Sequence, residues 1–84
     1  MPVTCKEDKR HLMAQVAGEL DHHGARSVME ELDRRIDQAR PRELTLDLSG
    51  LTFTDSSGIA VLLRAYRRMA QSQGSMRVVN TPAQ

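Results

Sequence analysis

Thr54-Asp55-Ser56-Ser57-Gly58 carries more hydroxyl and carboxylate oxygen than one helix start requires, and it joins an alternating apolar segment to an amphipathic one. A single Asp or Ser at such a strand-to-helix junction accepts hydrogen bonds from the first free N–H groups, and a glycine permits tight entry. The surplus suggests a second use. The unsatisfied donors and positive dipole of a helix N-terminus favour an anion, either a bound phosphate or a phosphate carried by the serine itself. Plain capping and phosphate chemistry both fit the local pattern.

Other chemistries fit less well. A nucleophilic serine on a tight turn requires G-x-S-x-G, and Thr54 stands where the first glycine should be. His11, His22 and His23 are candidate bases, yet no spacing orients one of them toward Ser56. Adjacent His22 and His23, with Glu19 and Asp21 nearby, suggest a metal cluster only superficially, because neighbouring side chains in a helix or strand diverge. A polar loop is the better reading. Arg64, Arg67 and Arg68 read as a solvated helix face rather than a phosphate patch.

The elements that must position this junction follow from the periodicities. Val3-Thr4-Cys5 opens a short strand ending at the charged cluster Glu7 to Arg10, which predicts a hairpin turn. Leu12, Ala14, Val16, Gly18 and Leu20 share one parity of a second strand. Ala25, Val28, Met29, Leu32, Ile36 and Ala39 then mark one face of a helix over roughly 23 to 39, with Asp21 upstream as a cap or pre-cap and Pro41 ending it. Leu44, Leu46, Leu48, Leu51 and Phe53 form the next extended segment, punctuated at Ser49-Gly50. A second helix over about 57 to 73 should turn Ile59, Leu62, Leu63, Tyr66, Met69 and Ala70 inward, with Arg64, Arg67, Arg68 and Gln71 outward and Gly74 as its C-cap. Ser75 to Val79 closes as a strand. The order β-β-α-β-α-β predicts an α/β fold with a mixed sheet, helices mainly on one face and right-handed crossovers.

Composition sets the outer limits. Eighty-four residues permit one domain, 1–84, with 39% hydrophobic and 27% charged residues and only Phe53 and Tyr66 as aromatics. Twelve basic and eleven acidic residues alternate along the chain, which argues against a dedicated nucleic-acid surface. The longest apolar run, Ile59 to Leu63, is far shorter than the roughly 20 residues needed to span a bilayer. Lys6 to Arg10 occupy the place of a signal peptide's apolar region. Cys5 alone makes no intrachain disulfide and fits a small core residue, so a reducing cytoplasmic setting is expected. Thr81-Pro82 is a further helix-start signal.

Two motifs in order then resemble a known family. Gly18-Glu19-Leu20-Asp21-His22-His23 is similar to the G-x-L-D motif of STAS-domain anti-sigma factor antagonists, and Leu51 to Gly58 is similar to their phosphorylation-site segment. Leu46-Asp47-Leu48, Tyr66 and Gly74 extend the likeness from about Val3 to Pro82. The resemblance implies a STAS-like fold and a partner-switching function without catalysis by this chain. The unphosphorylated form would bind an anti-sigma factor serine kinase and free a sigma factor, and phosphorylation of Ser56 would switch it off. A PP2C-type phosphatase would reverse the modification. By position, Asp21, His22, Thr54, Asp55, Ser56, Ser57 and Gly58 would form the partner-binding surface. No cofactor or metal is implied for this chain, ATP belonging to the partner kinase, and no direct nucleic-acid or membrane contact. An alternative within the same resemblance is a STAS subunit of a membrane transporter, such as a phospholipid ABC transporter. Members usually continue with further helix and strand beyond the fourth strand, so a short domain is expected to expose apolar surface and to invite homodimerisation or exchange of elements.

Overall fold

The computed structural model describes residues 3–81. Its elements are β1 (Val3–Asp8), β2 (His11–Leu20), α1 (His22–Ala39), β3 (Glu43–Thr54), α2 (Ser56–Gln71) and β4 (Ser75–Val79), in the expected order. The strands form one sheet in the order β1-β2-β3-β4. β1 and β2 are antiparallel, while β2–β3 and β3–β4 are parallel and joined by the two helices. Pro82 lies outside the described residues, and with it the second half of the Thr81-Pro82 signal. Among the described residues no helix is long and apolar enough to cross a membrane.

Alternation decides which face of the sheet is covered. Leu12, Ala14 and Val16 of β2 and Leu44, Leu46 and Leu48 of β3 are buried together with Ala25, Val28, Leu32 and Ile36 of α1 and Val61, Ala65 and Met69 of α2. The intervening Met13, Gln15, Ala17 and Ser49 are exposed, so both helices cover one face and the other is wet. Thr45 is the buried polar exception, and its hydroxyl is paired with His11 Nε2 at 2.7 Å. Cys5 is half-buried against the core, where burial pushes its thiol upward and away from reactivity.

Four details differ from the sequence expectations. The hairpin turn is confined to Lys9-Arg10, both with positive φ, because β1 pairs with β2 as far as Asp8 and His11. Ser49-Gly50 does not interrupt β3. It lies at the first of two register irregularities against β2, in each of which β3 accommodates one extra residue. Gln73, not Gly74, takes the left-handed position after α2, at φ 62°. Gln73 N–H donates to the Ala70 carbonyl and Gly74 N–H to that of Met69, closing a Schellman motif. Gly74 is required by packing instead, since a Cβ there would lie 2.6 Å from Met69 Cε and 2.8 Å from the Arg42 carbonyl oxygen.

The fourth difference is the rotation of α2. Its inward residues are Gly58, Val61, Ala65 and Met69, with Leu62 half-buried. Ile59, Leu63 and Tyr66, expected inside, are 61%, 50% and 58% exposed, and Ala70 is exposed as well. Ile59 to Leu63 is apolar at every position, so one phase of the helix is as apolar as the next over that turn. Tertiary contacts break the tie. Arg64 donates to Asp33 Oδ2 at 2.6 and 3.0 Å, and Arg68 pairs with Asp33 and Asp37, all across to α1. The Asp33 carboxylate raises the Arg64 pKa through this hydrogen bonding. Exposed ion pairs contribute only about 0–1 kcal/mol each. They nevertheless point the arginine edge of α2 at α1, and the small Ala65 and Gly58 let the helix sit close to the sheet.

Candidate functional site

The strand ends β2 and β3 lie side by side, because Leu20 pairs with Thr54 and the Asp55 N–H reaches the Leu20 carbonyl at 3.5 Å. Each strand delivers an aspartate directly into a helix. Asp21 caps α1, with Oδ1 accepting from Gly24 N–H at 2.8 Å, and Asp55 caps α2, with Oδ1 accepting from Ser57 N–H at 2.8 Å. Both caps have extended backbone, as capping demands. The site is therefore two adjacent helix N-termini at the carboxyl ends of parallel strands, a location where α/β folds commonly bind anions.

The two irregularities between β2 and β3 create this adjacency. Without the extra residues taken up by β3 between Gln15 and Leu20, Asp21 and Asp55 would not be level. Gly18, at φ 83°, occupies the second irregularity in a conformation that disfavours a side chain. A Cβ on Gly50 would sit 2.8 Å from Ala17 Cβ at the first.

Asp55 thus performs the plain capping role, leaving the Ser56 hydroxyl free for other work. Thr54 Oγ1 donates to the Asp55 carbonyl at 3.2 Å and stiffens the turn. Ser56 is the first residue of α2, exposed, and its hydroxyl has no hydrogen-bond partner among the described residues. Ser57 is half-buried, with its N–H committed to Asp55. Gly58 is buried, and a Cβ there would overlap Thr54 Oγ1 and approach Leu20 Cδ2 at 3.3 Å. Glycine is therefore needed where α2 leaves the sheet.

Of the residues singled out in the sequence, Asp21, Thr54, Asp55, Ser56, Ser57 and Gly58 come together at this end. His22 and His23 are exposed on the first turn of α1 beside Asp21. His11 is at the far end of β2, bonded to Thr45, so it is not brought to Ser56. An apolar groove of about 460 Å³ opens next to the serine turn, lined by Leu20, Leu48, Leu51, Ile59 and Leu62 with Ser56 at its edge. Sequence reasoning missed the groove because its walls come from three elements. Its only sequence signal was the apolar excess of Ile59 to Leu63.

Comparison with known proteins agrees with this architecture. The model of the STAS domain family matches residues 3–84. The chain is 38% identical over 73 residues to an anti-sigma F factor antagonist of Paenibacillus polymyxa, a match covering 84% of this chain and 62% of that protein. It thus spans less than two thirds of the length of that relative. The structure of the anti-sigma factor antagonist SpoIIAA in its unphosphorylated form superposes with a TM-score of 0.78 at 23% identity, covering 96% of this chain and 74% of that one. The phosphorylated form of SpoIIAA, described as a Bacillus cell fate determinant, gives 0.77 at 23% identity over 95% of this chain and 73% of that one. At this identity the structural likeness concerns the fold.

Proposed function

The chain belongs to the STAS domain family, and we propose that it acts as an anti-sigma factor antagonist whose partner binding is switched by phosphorylation of Ser56. The observation that carries this reading is the state of Ser56: exposed, without a hydrogen-bond partner among the described residues, and at the start of α2 beside two capping aspartates. A kinase can reach that hydroxyl without unfolding the turn, because Asp55 already satisfies the cap. The unphosphorylated form docks on an anti-sigma factor serine kinase through Asp21, His22, Thr54, Asp55, Ser56 and Ser57, while Gly58, expected on the same surface, is buried and serves the packing of α2 instead. A phosphate would add about −1.5 to −2 charge next to Asp21 and Asp55, on the surface that meets the partner. A PP2C-type phosphatase resets the switch. The name of the Paenibacillus relative favours this reading over a transporter subunit.

Incubation with the cognate kinase and ATP tests the assignment. Mass spectrometry should place one phosphate on Ser56, and Ser56→Ala should abolish labelling while still binding the kinase. Phosphate confined to Ser57, or loss of kinase binding in well-folded Ser56→Ala, would reject it.

A further inference from the structure

The pole opposite Ser56 holds a broad cleft of about 920 Å³ between the C-terminal ends of α1 and α2, with Arg10, Arg40, Arg42 and Arg68 in its lining and Asp37 as the one acidic residue there. Asp37 is engaged by Arg68. Arg10 donates to the Arg40 carbonyl at 3.4 Å, whereas the exposed Arg40 and Arg42 side chains have no hydrogen-bond or ion-pair partner among the described residues. Of the nearby acids, Glu7 pairs with Leu12 on the helix-covered face but lines a separate pocket beside Arg35. Asp8 and Glu43 both pair with His11, whose parity is opposite to that of buried Leu12, so they lie on the wet face of the sheet, away from the helix layer.

The backbone makes the charge pattern more informative. Lys9, Arg10 and Arg40 hold φ of 47°, 68° and 47°, in the left-handed region that favours glycine or asparagine. A two-residue hairpin loop with positive φ at both positions is most easily built from Asn-Gly, and here it is built from Lys-Arg. Cations thus stand at three of the four left-handed positions in the turns at this pole, where glycine or asparagine would relieve the backbone, the uncharged Gln73 being the fourth.

We propose that this cleft is a second docking surface, taking an acidic segment of a partner polypeptide independently of the phosphorylation state of Ser56. The cations line a cleft of about 920 Å³ from two neighbouring turns, Lys9-Arg10 and the Arg40–Arg42 connection, and from Arg68 in the last turn of α2 across it. That spread suits several carboxylates along an extended chain better than a single compact anion, and arginine pairs readily with carboxylate. Placement at the opposite end of the sheet from Ser56 puts the serine's added charge beyond a Debye length of about 8 Å at physiological salt. This inference does not rest on the partner-switching reading.

A hexaglutamate peptide is the probe, titrated into isotope-labelled protein and followed by amide chemical shifts. Saturable shifts are expected at Lys9, Arg10, Arg40, Arg42, Ser72 and Gln73, weakening as salt rises. Arg42→Glu combined with Arg40→Asn, which keeps a left-handed-tolerant residue at 40, should lower affinity at least tenfold without changing the thermal midpoint, while Ser56→Glu should bind the peptide as wild type does. Absence of saturable shifts at millimolar peptide, equal binding by the double variant, or shifts spread over Arg34 and Arg67 would overturn the proposal. Tighter binding of inorganic triphosphate to the same residues would overturn it in favour of a small-anion site. Peptide binding reports on the cleft and phosphate labelling of Ser56 in the wild-type chain on the other end, so failure of one assignment is distinguishable from failure of the other.

Discussion

Replacing Ser56 with glutamate should damage partner binding far more than folding, and the two effects can be sized separately. A negative charge in the first turn of α2 gains about 0.3–1 kcal/mol from the helix dipole. It also meets the Asp55 carboxylate, and two charges at roughly 6 Å in a water-like dielectric repel by about 0.7 kcal/mol. Because Ser56 and Asp55 are exposed, these opposing effects nearly cancel. The domain should therefore change stability by less than about 1 kcal/mol, a shift in Tm of no more than about 4–8 °C. Docking alters the arithmetic by excluding water from the same charges. At an effective dielectric near 20, one like-charged pair at roughly 6 Å costs about 2.8 kcal/mol, close to a hundredfold in affinity. Calorimetric titration of the kinase and thermal scans should be run on wild type, Ser56→Ala, Ser56→Glu and the neutral, similarly sized Ser56→Gln. The charge argument requires glutamate to bind about a hundredfold more weakly than glutamine, with similar Tm values. If glutamine binds as poorly as glutamate, bulk is responsible. If Tm falls by more than about 10 °C in step with affinity, the response is one of folding, and the reasoning fails.

Gly58→Ala should destabilise the domain by roughly 1–3 kcal/mol through overlap with Thr54 Oγ1, and Thr54→Ala in the same chain should recover part of that loss in a thermal double-mutant cycle. The rotation of α2 predicts that Val61→Ala costs roughly 1–3 kcal/mol whereas Ile59→Ser stays within about 0.5 kcal/mol, and equal costs in denaturant unfolding would contradict the observed phase. Should the uncovered stripe of Ile59, Leu63 and Tyr66 mediate self-association, light scattering will show a concentration-dependent dimer that Leu63→Glu dissolves; a strictly monomeric wild type at high concentration would count against it. Asp47 accepts hydrogen bonds from the Asn80 side chain and the Ser49 N–H, which hold its carboxyl below the usual range. A folded pKa below the unfolded one stabilises the domain above about pH 4 and loses that contribution as pH falls through the folded value, so acid unfolding should flatten in Asp47→Asn over that window.

Much of the Ser56 end was legible because its determinants are local. An aspartate before an amphipathic run caps a helix wherever the run is placed, and Asp21 and Asp55 both do so. The surplus hydroxyls at Ser56 and Ser57 and the glycine at 58 were likewise visible as a pattern, as was the one-sided burial of α1 at spacings of three and four. Period-two alternation in β2 and in β3 as far as Leu48 marked one wet face, since a pleat sends successive side chains to opposite sides regardless of neighbours, whereas past the register irregularities Phe53, counted with the apolar parity, pairs with Glu19 and is 53% exposed.

What the chain could not declare by itself depended on comparing distant segments. Ile59 to Leu63 is apolar throughout, so no count within α2 could choose its rotation; Asp33 and Asp37 on α1 and the close approach at Ala65 did. Gly74 looked like the helix terminator, yet the left-handed residue is Gln73, and Gly74 is needed for a contact with Met69 and Arg42. The adjacency of the two caps rests on irregularities in a parallel pairing between strands about thirty residues apart in sequence, where one residue of slip would separate them. The basic cleft likewise assembles from two turns and a helix end that are remote in sequence. Local chemistry determined which residues could act, and non-local register determined which of them stand together.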